Sequence, residues 1–446
     1  MIKALRFILS IQEKALRADT LSKSRVYHVV QDKAKYWIIC FLSLLILGFS
    51  FLFNSPLEIL QGLGAMILVP GILITDFMAV ANIGAALFNS GILMILCIAI
   101  ARLNKVSMSG PVIAAIFTVG GFGLFGKTLI NIWPIIGGVF LYARYRGERF
   151  NRYLLPAFFG TALGPLTSQI AFGFDFPLVW AVPFAILAGL LAGFCLPAMA
   201  NHFVVFHQGY NLYNIGFTCG ILGLAAMALF RAFGFETAAT QVVMQTGSDI
   251  MNIGLLCLFI IMLLIGLFFT REWLQSQKLL NRQPGRLVSD FVSSEGFGPV
   301  LINMALLGLL SMGYVLLVNG VINGPVIGGI FTVVGFGAFG KHLRNVMPIF
   351  IGVYLATLTK IWEPDATSTL LAALFGTTLA PIAGTYGWPY GVIAGFLHMS
   401  IVMNVGYLHG GMNLYNNGFA GGFVAAILIP VFDAIRSRFH EKKTSM

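Results

Sequence analysis

Apolar runs close to 20 residues long, cut by short polar or basic stretches, recur along almost the whole chain. An α-helix of that length crosses a hydrocarbon core of about 30 Å. The pattern predicts spans at about 36–54, 83–103, 153–174, 177–200 and 209–230, then 250–269, 297–318, 367–386, 389–405 and 411–432. Four apolar pieces are too short to cross alone: the pair 110–125 and 128–142, and the pair 324–339 and 343–358. The first pair begins and ends beside basic loops, so it reads as a re-entrant hairpin. Segment 56–75 is apolar but broken by Gly62, Gly64, Pro70 and Gly71, and it reads as a dipping or interfacial element.

The short pairs are one motif written twice. Gly110-Pro111-Val112-Ile113, Phe117-Thr118-Val119, Gly121-Phe122-Gly123, Phe125-Gly126-Lys127, Asn131 and Pro134 each recur 214 positions later, from Gly324 to Pro348, without a gap. Asp76 matches Asp290 and Asn89 matches Asn303 at the same offset. Phe159-Gly160-Thr161 with Pro165 matches Phe375-Gly376-Thr377 with Pro381. The block from His207 to Phe217, with Asn211-Leu212-Tyr213-Asn214, matches His409 to Phe419, with Asn413-Leu414-Tyr415-Asn416. A repeat this long exceeds any solenoid unit and is the size of half a transporter.

Charge sets the expected orientation. Loop 144–152 has four arginines, while its equivalent 360–366 sets Lys360 against Glu363 and Asp365. Loop 102–109 has Arg102 and Lys105, while 316–323 has no charge; 271–290 is basic, while 57–76 is not; the tail beyond Phe432 is basic, while 231–249 is not. Lys and Arg in short loops mark the cytoplasmic side. The expectation is an all-α polytopic membrane protein of two inverted-topology repeats, each of about five transmembrane helices plus a re-entrant hairpin. Its parts are a basic amphipathic cytoplasmic segment 1–35, repeats at 36–233 and 250–435, an external connection at 234–249 and a basic cytoplasmic tail 436–446. Segment 1–35 reads as a helix on the leaflet or as a disordered tail, and not as a cleavable signal. Both termini are expected in the cytoplasm and the chain in the plasma membrane of a bacterial cell, with the bilayer as its partner and homo-oligomerisation left open.

Composition agrees: 58% of residues are hydrophobic and 10% charged, against about 25% charged in soluble domains. The net charge of +11 lies at the termini and in a few loops, which points away from nucleic acid. The five cysteines stand in apolar segments without a Cys-x-x-Cys pair, so they read as packing residues. No catalytic constellation, cofactor motif or metal spacing is present, and an enzyme is not expected.

Candidate chemistry sits where the helices break. Broken helices at membrane depth line wet cavities or are buried in protein. The substrate-path candidates are Gly121, Gly123, Gly335 and Gly337 as the breaks, and Phe122, Phe125, Phe336 and Phe339 as aromatic walls. Thr118 and Thr332 lie on the same pieces. Lys127 and Lys341 read as cations at depth for an anionic solute or as snorkelling side chains. Asn131 and Asn345 lie one turn further on, and Asn211, Asn214, Asn413 and Asn416 read as pairs on one helical face. Glycine-mediated helix packing is the competing reading for the breaks. His207 and His409 read as pH gates or as ordinary interface residues. Thr118-Val119-Gly120-Gly121-Phe122-Gly123 looks like a potassium filter string, but that filter needs four strands around one axis.

This two-copy pattern resembles, over nearly the whole chain, an uncharacterised family of two-repeat bacterial integral membrane proteins, a resemblance that carries no activity with it. More distantly, the plan is similar to that of urea transporters, with local likeness at Glu58-Ile59-Leu60-Gln61-Gly62-Leu63-Gly64 and Ser109-Gly110. Their Leu-Pro-x-x-Thr-x-Pro-Phe signature is missing; Leu163-Gly164-Pro165-Leu166-Thr167-Ser168-Gln169 lacks its end, so no urea-site residue carries over. Three functions stay open: a channel or transporter for a small polar solute, a carrier of small anions using Lys127 and Lys341 with Na⁺ or H⁺ coupling, and a structural or lipid-handling membrane protein.

Overall fold

The computed structural model describes residues 29–237 and 240–444, with side chains as far as residue 437. Most of the basic segment 1–35 therefore lies outside the described residues. Everything described is helix or connection; the only extended pairings are isolated bridges of Thr75 with Val242 and Asp76 with Phe125.

Among the described residues, twenty α-helices fall into two sets of ten in the same order. The first set is α1 Asp32–Phe49, α2 Pro56–Ile67, α3 Phe77–Val80, α4 Ile83–Leu103, α5 Gly110–Phe122, α6 Trp133–Tyr145, α7 Leu154–Gly160, α8 Gly164–Phe172, α9 Leu178–Phe206 and α10 Asn214–Ala232. The second is α11 Asp249–Phe268, α12 Trp273–Leu280, α13 Phe291–Glu295, α14 Phe297–Leu317, α15 Gly324–Phe336, α16 Leu343–Thr357, α17 Thr367–Gly376, α18 Ala380–Tyr386, α19 Trp388–Val405 and α20 Asn416–Thr444. Local signals place these ends. Ser55 and Glu58 form a capping box ahead of Pro56, and Asn82 caps α4 through Ala85 N, each satisfying amides that a helix start leaves free.

Nine helical segments among the described residues are long and apolar enough to cross a membrane. The tenth expected span, 153–174, is a continuous run of α7, a 3-10 turn and α8. Thr167, Ser168 and Gln169 lower its hydropathy, and it is not among the nine. Outward faces are apolar, as on α9, where Leu178, Trp180, Phe184, Leu187 and Leu191 are exposed. Such faces suit lipid and not water, and the chain is a multi-pass membrane protein.

The centre holds α5 and α15, every residue of which is buried. At 13 residues each, they rise about 20 Å, too little to cross the core. They run antiparallel: a methyl on Gly110, at the start of α5, would meet Ala338 O just past the end of α15 at 2.1 Å, and one on Gly324 would meet Leu124 O at 3.0 Å. Between these ends, Gly121 packs on Gly328, Gly335 on Phe117 and Ala114, and the rings of Phe117 and Phe331 lie 6.3 Å apart. α10 and α20 meet in the same paired way, Gly216 on Tyr415 and Gly418 on Tyr213.

Two local expectations are corrected. Asn211 and Asn413 precede their helices and do not share a helical face with Asn214 and Asn416; each side-chain oxygen accepts the amide two residues on, from Tyr213 or Tyr415. His207 and His409 are not interface residues but fully buried, bonded at 2.9 Å to Asn214 and Asn416. In both cases tertiary packing, invisible to periodicity, decides the outcome. Over the expected basic tail, α20 continues as helix to Thr444.

Candidate functional site

The two helix breaks are built alike. α5 ends where Gly126 turns to φ +85° and Lys127 N bonds back to Phe122 O; α15 ends where Gly340 turns to φ +118° and Lys341 N bonds back to Phe336 O. Glycine is the residue that adopts this left-handed closure at no steric cost. The carbonyls freed by each break are then satisfied from the neighbouring helix. Asn89 donates to Gly123 O and Lys127 O at 2.6 and 2.8 Å, and Asn303 donates to Gly337 O and Lys341 O at 2.8 Å each. Asn131 and Asn345 hold the turns themselves, donating to Gly126 O and Gly340 O and accepting from the Thr128 and His342 amides. Their amides are thus turned into the break and bonded there. Gly121 and Gly335 lie at the α5–α15 contact, while Gly123 and Gly337 lie against α4 and α14.

Each of the two short helices also receives, at its start, a carboxylate from the other repeat. Asp76 accepts from Met78 N and Met244 N and from Gly324 N at the start of α15. Asp290 accepts from its own helix start and from Gly110 N at the start of α5. An acid at a helix N-terminus is favoured by the free amides and the helix dipole. The acids therefore tie the repeats together crosswise.

Beyond the breaks lies a layer of six rings: Phe122, Phe159, Tyr213 and their repeat mates Phe336, Phe375 and Tyr415. Phe122 stacks on Phe375 at 5.3 Å and meets Tyr415 at 4.8 Å; Phe336 lies 5.7 Å from Phe159 and 4.7 Å from Tyr213. The two tyrosine rings are 5.9 Å apart. Phe125 and Phe339 pack on Phe122 and Phe336 at 4.8 and 5.6 Å. Both lysines are completely buried and lean on this layer, each over a phenylalanine of its own repeat and a tyrosine of the other. Lys341 Nζ donates to Tyr213 Oη at 2.5 Å and Thr377 Oγ1 at 2.7 Å. Lys127 Nζ has no hydrogen-bond partner. Thr118 and Thr332 give their hydroxyl protons to Ala114 O and Gly328 O within their own helices.

Two cavities flank the layer. One, of about 570 Å³, is lined by Arg146, Arg152, Leu155, Phe159, Leu212, Asn214, Leu287 and Val288, and reaches Tyr213, Phe336, Phe339 and Tyr415. The other, of about 500 Å³, is lined by Arg231, Ser368, Leu371, Phe375, Leu414, Asn416, Leu73 and Ile74. Residue for residue these are repeat mates: Arg152 with Ser368, Leu155 with Leu371, Phe159 with Phe375, Leu212 with Leu414, Asn214 with Asn416, Leu287 with Leu73 and Val288 with Ile74. Asn214 and Arg231 stand at opposite ends of α10, so the cavities enter the protein from opposite ends.

Of the residues singled out from sequence, the structure gathers Phe122, Phe125, Lys127, Phe336, Phe339 and Lys341 around the ring layer. Asn214 and Asn416 line the cavities. The glycines, Asn131, Asn345, Asn211 and Asn413 hold backbone and helix contacts. Phe159, Phe375, Tyr213, Tyr415, Thr377 and Arg152 were not singled out for the site, although all but Arg152 stand in the matched blocks. Among the described residues no group of three or more His, Cys, Asp or Glu is placed to hold a metal ion, and all five cysteines are free.

No curated protein and no solved structure matches the chain. A family model matches it twice, over residues 55–232 and 269–434. The chain belongs to the family described as "Protein of unknown function (DUF1576)".

Proposed function

We propose that the protein moves a small polar solute across a membrane, along a path between two inverted repeats. The observation that carries this reading is the pair of repeat-related cavities, entering from opposite ends and separated by six aromatic rings. A binding protein needs one such cavity; a path needs two. Substrate sites at the interface of inverted repeats, beside broken helices, are a recurring transporter plan. The antiparallel packing of α5 on α15 and the opposite charge of equivalent loops both support inversion with respect to the bilayer. By the charge rule, the cavity beside Arg146 and Arg152 faces the cytoplasm, with both termini on that side. That cavity touches four of the six rings and the opposite one touches only Phe375, so the cytoplasmic cavity is the one that reaches further along the layer. The freed backbone carbonyls are not the solute ligands, because Asn89 and Asn303 already occupy them.

Single cysteines at Leu155 and Leu371, in a background lacking the five native ones, test the path. A membrane-impermeant maleimide is expected to label Leu371→Cys from outside the cell, and Leu155→Cys only in inverted vesicles. Labelling of both from one face overturns inversion and the path together.

A further inference from the structure

We infer that the solute is a small monovalent anion, received by the Lys127 ammonium and the Tyr415 hydroxyl, while Lys341 is a fixed structural side chain. This rests on the transport reading above and assigns its substrate class. The argument is the difference between two otherwise equivalent places.

Lys341 has two oxygen acceptors within hydrogen-bond distance, one from each repeat. Its equivalent, Lys127, is just as buried and has none. Its ammonium leans on the faces of Phe122 and Tyr415, at 5.2 and 5.7 Å from the ring centres, with the buried Cys97 and Cys219 thiols in its neighbourhood and neither in hydrogen-bond contact. Ring faces attract a cation but do not replace three lost hydrogen bonds. An unpaired ammonium away from water is costly, and an arriving anion relieves that cost.

A second unpartnered group stands beside it. Tyr415 Oη is buried without a hydrogen bond of good geometry, and the Thr118 hydroxyl near it gives its own proton to Ala114 O. The Tyr415 ring also lines the arginine-end cavity, which brings that cavity to the edge of the layer on which Lys127 leans. Two donors and no acidic side chain in contact select an acceptor, and the positive charge selects an anion over a neutral amide. The aromatic walls supply no further donors to a large polyvalent ion. In the equivalent place Tyr213 is already taken by Lys341, so one position and not two is available.

The test uses the full chain in proteoliposomes and in detergent, with formate and nitrate as anions and urea and glycerol as neutral solutes. Formate and nitrate are expected to move at least tenfold faster than through protein-free vesicles and to raise the unfolding temperature. Lys127→Gln is expected to abolish both effects, Tyr415→Phe to weaken them several-fold and Lys127→Arg to restore part of them. Should Lys127→Gln fail to fold, Tyr415→Phe and Lys127→Arg decide the matter alone. Anion flux and stabilisation unchanged in the Lys127 and Tyr415 variants overturn the assignment. Passage of urea or glycerol alone, indifferent to Lys127, leaves the path standing and removes the anion. No flux of any probe removes the transport reading itself, and this assignment with it.

Discussion

The matched blocks of repeat one and repeat two carry nearly the same residue types at the same places, yet their lysines differ in what they bond to. Lys341 is held by Tyr213 and Thr377, while Lys127 rests on ring faces without a hydrogen bond. Thr161, which stands where Thr377 does, bonds only to Phe158 O within its own turn. Near-identical parts thus reach different states of satisfaction. A bundle whose halves were only scaffolding would gain by satisfying both alike, because an unmade hydrogen bond in a dry interior costs more than a made one returns. The anion assignment rests on this contrast.

The comparison is sharpened first where the halves are alike. A side chain at Gly121 or Gly335 meets backbone or Cβ atoms of the facing helix, at 2.7 Å from Gly328 O and 2.7 Å from Phe117 Cβ. Gly121→Val and Gly335→Val are each expected to destabilise by about 3 kcal/mol, read as equal falls in unfolding temperature in detergent. Unequal falls break the equivalence of the central helices. The crosswise acids come next. Asp76 is fully buried and bonds three amides, whereas Asp290 is half-buried. Asp76→Ala is expected to cost about 2 kcal/mol and Asp290→Ala about 1 kcal/mol, by the same measurement. The smallest effect is the most diagnostic. Lys341→Met strands the Tyr213 hydroxyl and is expected to lower stability by about 1 kcal/mol, whereas Lys127→Met strands nothing and is expected to leave stability level or raise it. Equal losses at both lysines erase the difference between the repeats.

Much of this was legible in the chain as written. The duplicated Gly-Pro-Val-Ile to Gly-Lys block marked the two short central helices, and their length alone barred them from crossing the core. Asn89 and Asn303 were visible as a matched pair, yet their work of closing the carbonyls at Gly123 and Gly337 depends on which helix lies alongside. Glycine breaks read equally well as a path or as packing, because a missing side chain admits either a solute or a backbone. Only the neighbour's position decides, and the neighbour is α15 against α5. Tyr213 and Tyr415 stood in the repeat block, but they come together only when α10 and α20 cross.

The sequence by itself determined the helices, the membrane class, the duplication and the opposite charge of equivalent loops. Those follow from local hydropathy and from comparing one half with the other, and they need no knowledge of contacts. The tertiary structure alone decided that the rings form one layer, that the cavities enter from opposite ends, and that Lys341 finds two oxygens where Lys127 finds none. Hydrogen bonds between segments some 40 to 130 positions apart depend on how helices pack, and packing distances are not written in the periodicity of any single helix.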